Sequence, residues 1–209
     1  MTEGGALGQG MPRRADAARN RARILEAARE QVRLHGPEVG MDAIAAAAGV
    51  AVGTLYRHFP AKGDLVGAVV REFLEAVAAD VESAANRVDN GASPAAELIA
   101  LIGRAIDRGA SNHASKLAAQ QLGVSTAHPE AERRSTESLT RLIHAGRLAN
   151  QFRMDLVVAD VYLLVANAPV DMPAKDRTRW LELVAPGLLV PPSDPPGGSE
   201  ADGARGLRS

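Results

Sequence analysis

The chain contains no cysteine among its 209 residues. That excludes a disulfide framework, a Cys-ligated zinc and a thiol nucleophile. Aromatic residues are almost as scarce, at one Trp, two Tyr and three Phe, which argues against a strand-rich fold. There is no apolar run near the roughly 18–20 residues that cross a bilayer, and the Gly-rich stretch from Met1 to Met11 lacks the apolar core of a secretory leader. The expected compartment is therefore the cytoplasm. Net charge is nearly absent too, at -1. What the chain has in excess is alanine, 40 residues, the strongest intrinsic helix former. The expected fold class is all-α.

The neutral balance is an average of unlike parts. Residues 1–62 carry nine Lys and Arg against six Asp and Glu, whereas the rest carries 15 against 19. Arg13, Arg14, Arg19, Arg21 and Arg23 crowd into one short stretch. Such asymmetry points to an anion-binding end and an acidic remainder, although a solvated basic leader fits the same charges.

Periodicity predicts helices almost throughout. Ile24, Leu25, Ala28 and Val32 form one stripe that stops near His35-Gly36-Pro37. Short helices follow over about Met41–Ala48 and Val52–Phe59. Pro60 ends the second, and a long helix starts near Lys62. Asn90-Gly91 marks a loop, and Ser93-Pro94 caps a helix carrying Leu98, Leu101, Ile102, Ala105 and Ile106. A separate shorter helix is expected over Ala114–Leu122. His128-Pro129 opens another, to about Leu148. Asp155–Ala168 reads as a buried helix, and Asp176–Leu189 as the last. Residues 1–18 and 191–209 read as disordered tails.

The stretch from Asp42 to Leu65 carries the function. Ile44 and Ala48 on one short helix, Gly49 at its end, then Val50 and Leu55 on the next, make a helix-turn-helix spacing. Small residues allow a close crossing. The second helix then presents Val52, Thr54, Tyr56, Arg57 and His58 outward, short enough to enter a major groove. An ordinary helical corner has the same spacing, but four groups able to meet a phosphate (Thr54, Tyr56, His58 and Lys62) within about 2.5 turns exceed what a corner needs.

The run Gly49-Val50-Ala51-Val52-Gly53-Thr54-Leu55-Tyr56-Arg57-His58-Phe59, continued by Lys62 and Leu65, resembles the signature of the TetR family of transcriptional regulators. Arg23-Ile24-Leu25-Glu26-Ala27-Ala28 is similar to the family's first helix. The resemblance implies a homodimer on a palindromic double-stranded DNA operator, repressing until a small-molecule effector binds the C-terminal domain. It implies a helix-turn-helix domain over residues 19–62 and a helical effector-binding and dimerisation domain over 63–190, flanked by a basic arm. Thr54, Tyr56, His58 and Lys62 correspond to DNA-backbone contacts, and Val52, Gly53 and Arg57 to base-reading positions. Arg19 and Arg23 are expected to follow phosphates or enter a minor groove, unless they belong to a flexible leader. Two departures stand out. Ala51 replaces the usual serine that caps the recognition helix. Gly40-Met41 replaces the usual threonine of the preceding helix, leaving Met41 and Asp42 as its candidate contacts. Asp42 either accepts from a cytosine amino group or complements the helix dipole.

Candidate effector-binding residues are Leu101, Ile102, Ala105, Leu117, Gln121, Leu139, Ile143, Tyr162, Val165 and Asn167. Their apolar character points to an apolar ligand held by aliphatic walls. No cofactor or membrane association is expected, and no metal site, because His113, His128 and His144 lack ligand spacing. No nucleotide-binding or hydrolase motif is present, so an enzyme is the weaker alternative, as is a ligand-binding protein that has lost DNA recognition.

Overall fold

The computed structural model describes residues 10–190, with side chains from residue 15 onward. Among these residues there are eight α-helices and no strand, only an isolated bridge between Phe152 and Leu189. No helix among them is long and apolar enough to cross a membrane.

Helix α1 spans Gly10–His35. Residues 10–18 are therefore helical rather than the start of a disordered arm, in keeping with their Ala and Arg content. The rest of that arm, and the tail from residue 191, lie outside the described residues. Gly36, at φ 74, ends α1 by bonding back to Val32 O at 2.9 Å. Helix α2 (Met41–Ala48) ends at Gly49, whose φ of 64 only glycine adopts without cost. There Val50 N donates to Ala45 O at 3.1 Å, closing the last turn of α2. Helix α3 (Val52–His58) follows, then α4 (Lys62–Asp89), whose Asp64 carboxylate accepts from Ala61 N at 3.1 Å.

Helix α5 is one unbroken element, Pro94–Gln121. The expected break before Ala114 does not occur. Gly109, Ser111 and Asn112 are poor helix formers, yet packing holds them in register. Gly109 lies where a Cβ would stand 3.5 Å from Val170, and Asn112 Nδ2 bonds back to Arg108 O at 2.9 Å. Helix α6 is Pro129–Leu148, with His128 Nδ1 accepting from Ala131 N at its start. Helix α7 (Val158–Ala166) is shorter than expected, and Val161 is its single buried residue. Helix α8 (Ala174–Val184) buries none, and the chain ends its described part in a 3-10 turn, Ala185–Leu188.

Two hydrophobic clusters organise the chain. The first joins α1, α2 and α3 to the first turns of α4, Leu65 to Val70, and takes in Ala118 and Ala119 of α5. The second joins the remainder of α4 and α5 to α6, α7, Phe152 and Leu188. Helices α4 and α5 thus cross both cores, so the head core reaches past residue 62 and a body helix enters it directly.

Candidate nucleic-acid interface and effector cavity

Leu55 is fully buried and fixes the orientation of α3. Because residues one position away turn about 100° around a helix, Val52, Gly53, Tyr56 and Arg57 point outward. Val52 and Tyr56 are 39% and 44% exposed, unusual for large apolar surfaces. Arg57 Nη2 donates to Thr54 Oγ1 at 3.0 Å, one turn away. This bond links a position expected to read bases with one expected to hold the backbone. His58 is half-buried beside Phe59, with ring centroids 6.3 Å apart. A Cβ on Gly53 would meet nothing within 4 Å, so the outward side of α3 is unobstructed.

Other expected contacts are arranged differently. Met41 is 8% exposed and belongs to the head core. Its side chain is therefore not available to DNA, because an unbranched apolar chain at this point completes the packing of α2. Asp42 is exposed in the first turn of α2. Lys62 donates to Pro37 O, tying the start of α4 to the α1–α2 connection. Arg19 pairs with Asp16. Arg23 Nη2 donates to Asn20 Oδ1 at 2.7 Å, and its guanidinium passes 3.7 Å from where a Cβ on Gly49 would stand. It thus lies over the turn between α2 and α3. Arg21 stacks over Phe59 at 5.6 Å.

Ala51 is the N-cap residue of α3, in an extended conformation with no side-chain cap bond. Ser at this position adopts the same backbone and supplies an acceptor. Ala51→Ser is expected to stabilise the protein by about 1 kcal/mol, read as a higher urea midpoint at unchanged slope.

A cavity of about 480 Å³ opens in the helical body. This is within the range of small-molecule sites. Of the expected residues, Leu101, Ile102, Ala105, Leu139, Tyr162 and Val165 line it. Four do not. Ile143 is 3% exposed and packs in the body core. Leu117 and Gln121 lie exposed on the outer side of α5, turned away by the register that points Lys116 inward. Asn167 caps α7 and donates to Leu163 O at 2.8 Å.

The wall also contains residues the pattern did not reveal, chiefly Phe73, Asp80, Arg108, His113, Lys116 and Val170. The signal for three of them was a spacing of three to five residues continuing Ala105 through Arg108, His113 and Lys116. It is lost when α5 is divided before Ala114. Asp80 lies 2.9 Å from Arg104 Nε and 3.4 Å from Arg108 Nη2. Burial lowers the pKa of Lys116 from the usual lysine range. Tyr162 OH and Thr136 Oγ1 are 3.1 Å apart at the cavity's edge. Among the described residues no group of three or more His, Asp or Glu could hold a metal ion.

The model of the bacterial regulatory proteins of the tetR family matches residues 24–69, from the second half of α1 to the first turns of α4. The chain is similar to the crystal structure of the TetR transcription regulatory protein from Mycobacterium vanbaalenii, at 32% identity over 86% of this chain and 100% of that one, with a TM-score of 0.68. A TetR transcriptional regulator from Streptomyces coelicolor matches at 27% identity over 81% and 98%, with a TM-score of 0.65. A tetR-family protein from Rhodococcus RHA1 shares the fold, at 24% identity, coverage of 81% and 96%, and a TM-score of 0.58. A comparison with curated proteins finds none that matches. The helix-turn-helix geometry, the family match across it and the similarity over nearly the whole chain agree: this protein belongs to the TetR family of DNA-binding transcriptional regulators, which are not enzymes.

Proposed function

We propose that the protein is a repressor that binds a palindromic operator as a homodimer and is released by a small molecule bound in the body cavity. The observation that carries this reading is the outward face of α3. Val52, Gly53, Tyr56 and Arg57 stand exposed around the buried Leu55, on a helix short enough to enter a major groove. The exposed apolar residues of α7 and α8 support pairing with a second copy. Leu163 and Leu183 are 63% and 64% exposed, which a lone chain leaves against water. Pairing through these helices sets the spacing of two α3 helices, which must reach half-sites about 34–36 Å apart, or a multiple.

Helix α4 runs from Lys62 beside α3 to the cavity wall at Phe73 and Asp80. A ligand that favours a different tilt of α4 alters that spacing. Coupling of about 1–3 kcal/mol changes operator affinity about 5- to 150-fold.

The test is fluorescence anisotropy on the duplex adjoining the protein's own coding sequence, against a scrambled duplex. Arg57→Ala is expected to cost about 1–3 kcal/mol on the operator and to relax base preference at one position. Lys62→Met is expected to weaken both duplexes and lower the salt slope by about one. Equal wild-type affinity for the two duplexes across salt concentrations would remove the sequence-specific reading. An unchanged slope in Lys62→Met would leave that lysine only its tie to Pro37.

A further inference from the structure

The cavity is polarised along α5. Leu101, Ile102 and Ala105 wall one end, and Arg108, His113 and Lys116 continue toward the head. With a rise of 1.5 Å per residue, Ala105 and Lys116 stand about 16 Å apart along the helix. The single carboxylate in the wall, Asp80, is met by two guanidiniums, Arg104 and Arg108. His113 faces Asp171 at 3.3 Å.

Lys116 is different. No carboxylate among the described residues pairs with it, and burial is the one influence on its pKa. Its Nζ lies 4.5 Å over the ring of Phe73, a wall residue only 8% exposed. An aromatic face stabilises an ammonium modestly. It does not replace the counter-ion and hydrogen bonds that a partly desolvated charge loses. Arg104 and Arg108 thus share the Asp80 carboxylate, and further along α5 the Lys116 ammonium lies over Phe73 without an anion.

We infer that the cavity takes an amphiphile with an aliphatic body and one anionic head, in class a medium-chain carboxylate, whose carboxylate pairs with Lys116. The inference rests on the proposed effector role of the cavity and replaces a purely apolar ligand with a charged one. The aliphatic chain lies along Ala105 and Ile102. A neutral ligand of the same length fills the same volume but leaves the ammonium unpaired. A cationic one meets Lys116 with like charge, and Asp80 is already engaged.

The experiment is calorimetric titration of the full chain with decanoate and decyltrimethylammonium below their micelle concentrations and with 1-decanol below its solubility limit. Decanoate is expected to bind about tenfold or more tighter than decanol, with the cation weakest. Lys116→Met is expected to abolish that preference while decanol binding is kept, and Lys116→Arg to retain it. The wild-type ligand series decides the matter even if Lys116→Met fails to fold. Equal affinity for decanoate and decanol, no binding of decanoate, tightest binding of the cation, or a preference that survives in folded Lys116→Met would each overturn the inference. Operator release is read separately. Decanoate bound without release leaves the carboxylate site standing and removes its effector role. Release by decanol, with decanoate unbound, keeps the effector role and removes the carboxylate site.

Discussion

Phe152→Ala is expected to lower the unfolding free energy by about 3–5 kcal/mol. The ring is 1% exposed and belongs to the body core. It is placed there by the turn after α6, where Asn150 takes a φ of 54 and Gln151 N donates to Gly146 O at 2.9 Å. The ring then packs directly on Gly146, occupying the space where a Cβ on that residue would lie. Phe152 also pairs with Leu189, and Val190 N donates to Gln151 O at 3.1 Å. The backbone around Phe152 thus fastens the end of α6 to the end of the described chain, while its ring fills the body core.

The same packing predicts a coupled pair. Gly146→Ala alone overpacks the site, at a cost of about 1–3 kcal/mol. In the Phe152→Ala background the clash is gone. There alanine in the last turns of α6 is expected to stabilise by about 0.5–1 kcal/mol relative to glycine. A double-mutant cycle by urea unfolding reads the change of sign. If the two substitutions act additively, the ring does not depend on the missing Cβ.

The head was legible because its determinants are local. Ile44, Ala48, Gly49, Val50 and Leu55 lie within twelve residues, and the positive φ of Gly49 is a backbone demand that the sequence states directly. Met41 is a candidate contact only because it stands where the family's usual threonine does, and its burial with residues of α1 in the head core gives it a packing role instead. The division of α5 had a different cause. Propensity over Gly109–Asn112 favours a break, while the contact of Gly109 with Val170, 61 positions later, keeps the helix whole. Local sequence carries no trace of that contact. The consequence reaches the cavity: a helix ended early detaches Lys116 from the stripe of Ala105 and Arg108 and leaves Leu117 and Gln121 as the nearest candidates. For α7, composition revealed an apolar segment but not what covers it. Leu163 and Tyr162 remain exposed on the single chain.

Leu55→Ala is expected to weaken operator binding more than a substitution on the groove-facing side of α3, and to act through stability. Leu55 is fully buried, so truncation costs about 2–5 kcal/mol. That loss falls on a helix of seven residues, far below the roughly 12–15 at which an isolated helix is even marginal. Its order therefore comes from docking, and Ala51 contributes no side-chain cap. Undocking of α3 becomes populated before the whole chain unfolds, and apparent operator affinity falls in proportion to the docked fraction. Tyr56→Ala provides the contrast. Its ring is 44% exposed, so stability should change by no more than about 0.5 kcal/mol while binding is lost through the missing contact. Thermal melts and anisotropy on the same samples separate the two. For Leu55→Ala, lower temperature or Ala51→Ser in the same chain should restore part of the binding by raising the docked fraction. For Tyr56→Ala neither should. Operator affinity at the wild-type level in Leu55→Ala would mean that α3 is not held by this anchor, and an equal response of both variants to Ala51→Ser would mean that docking is not what Leu55 controls.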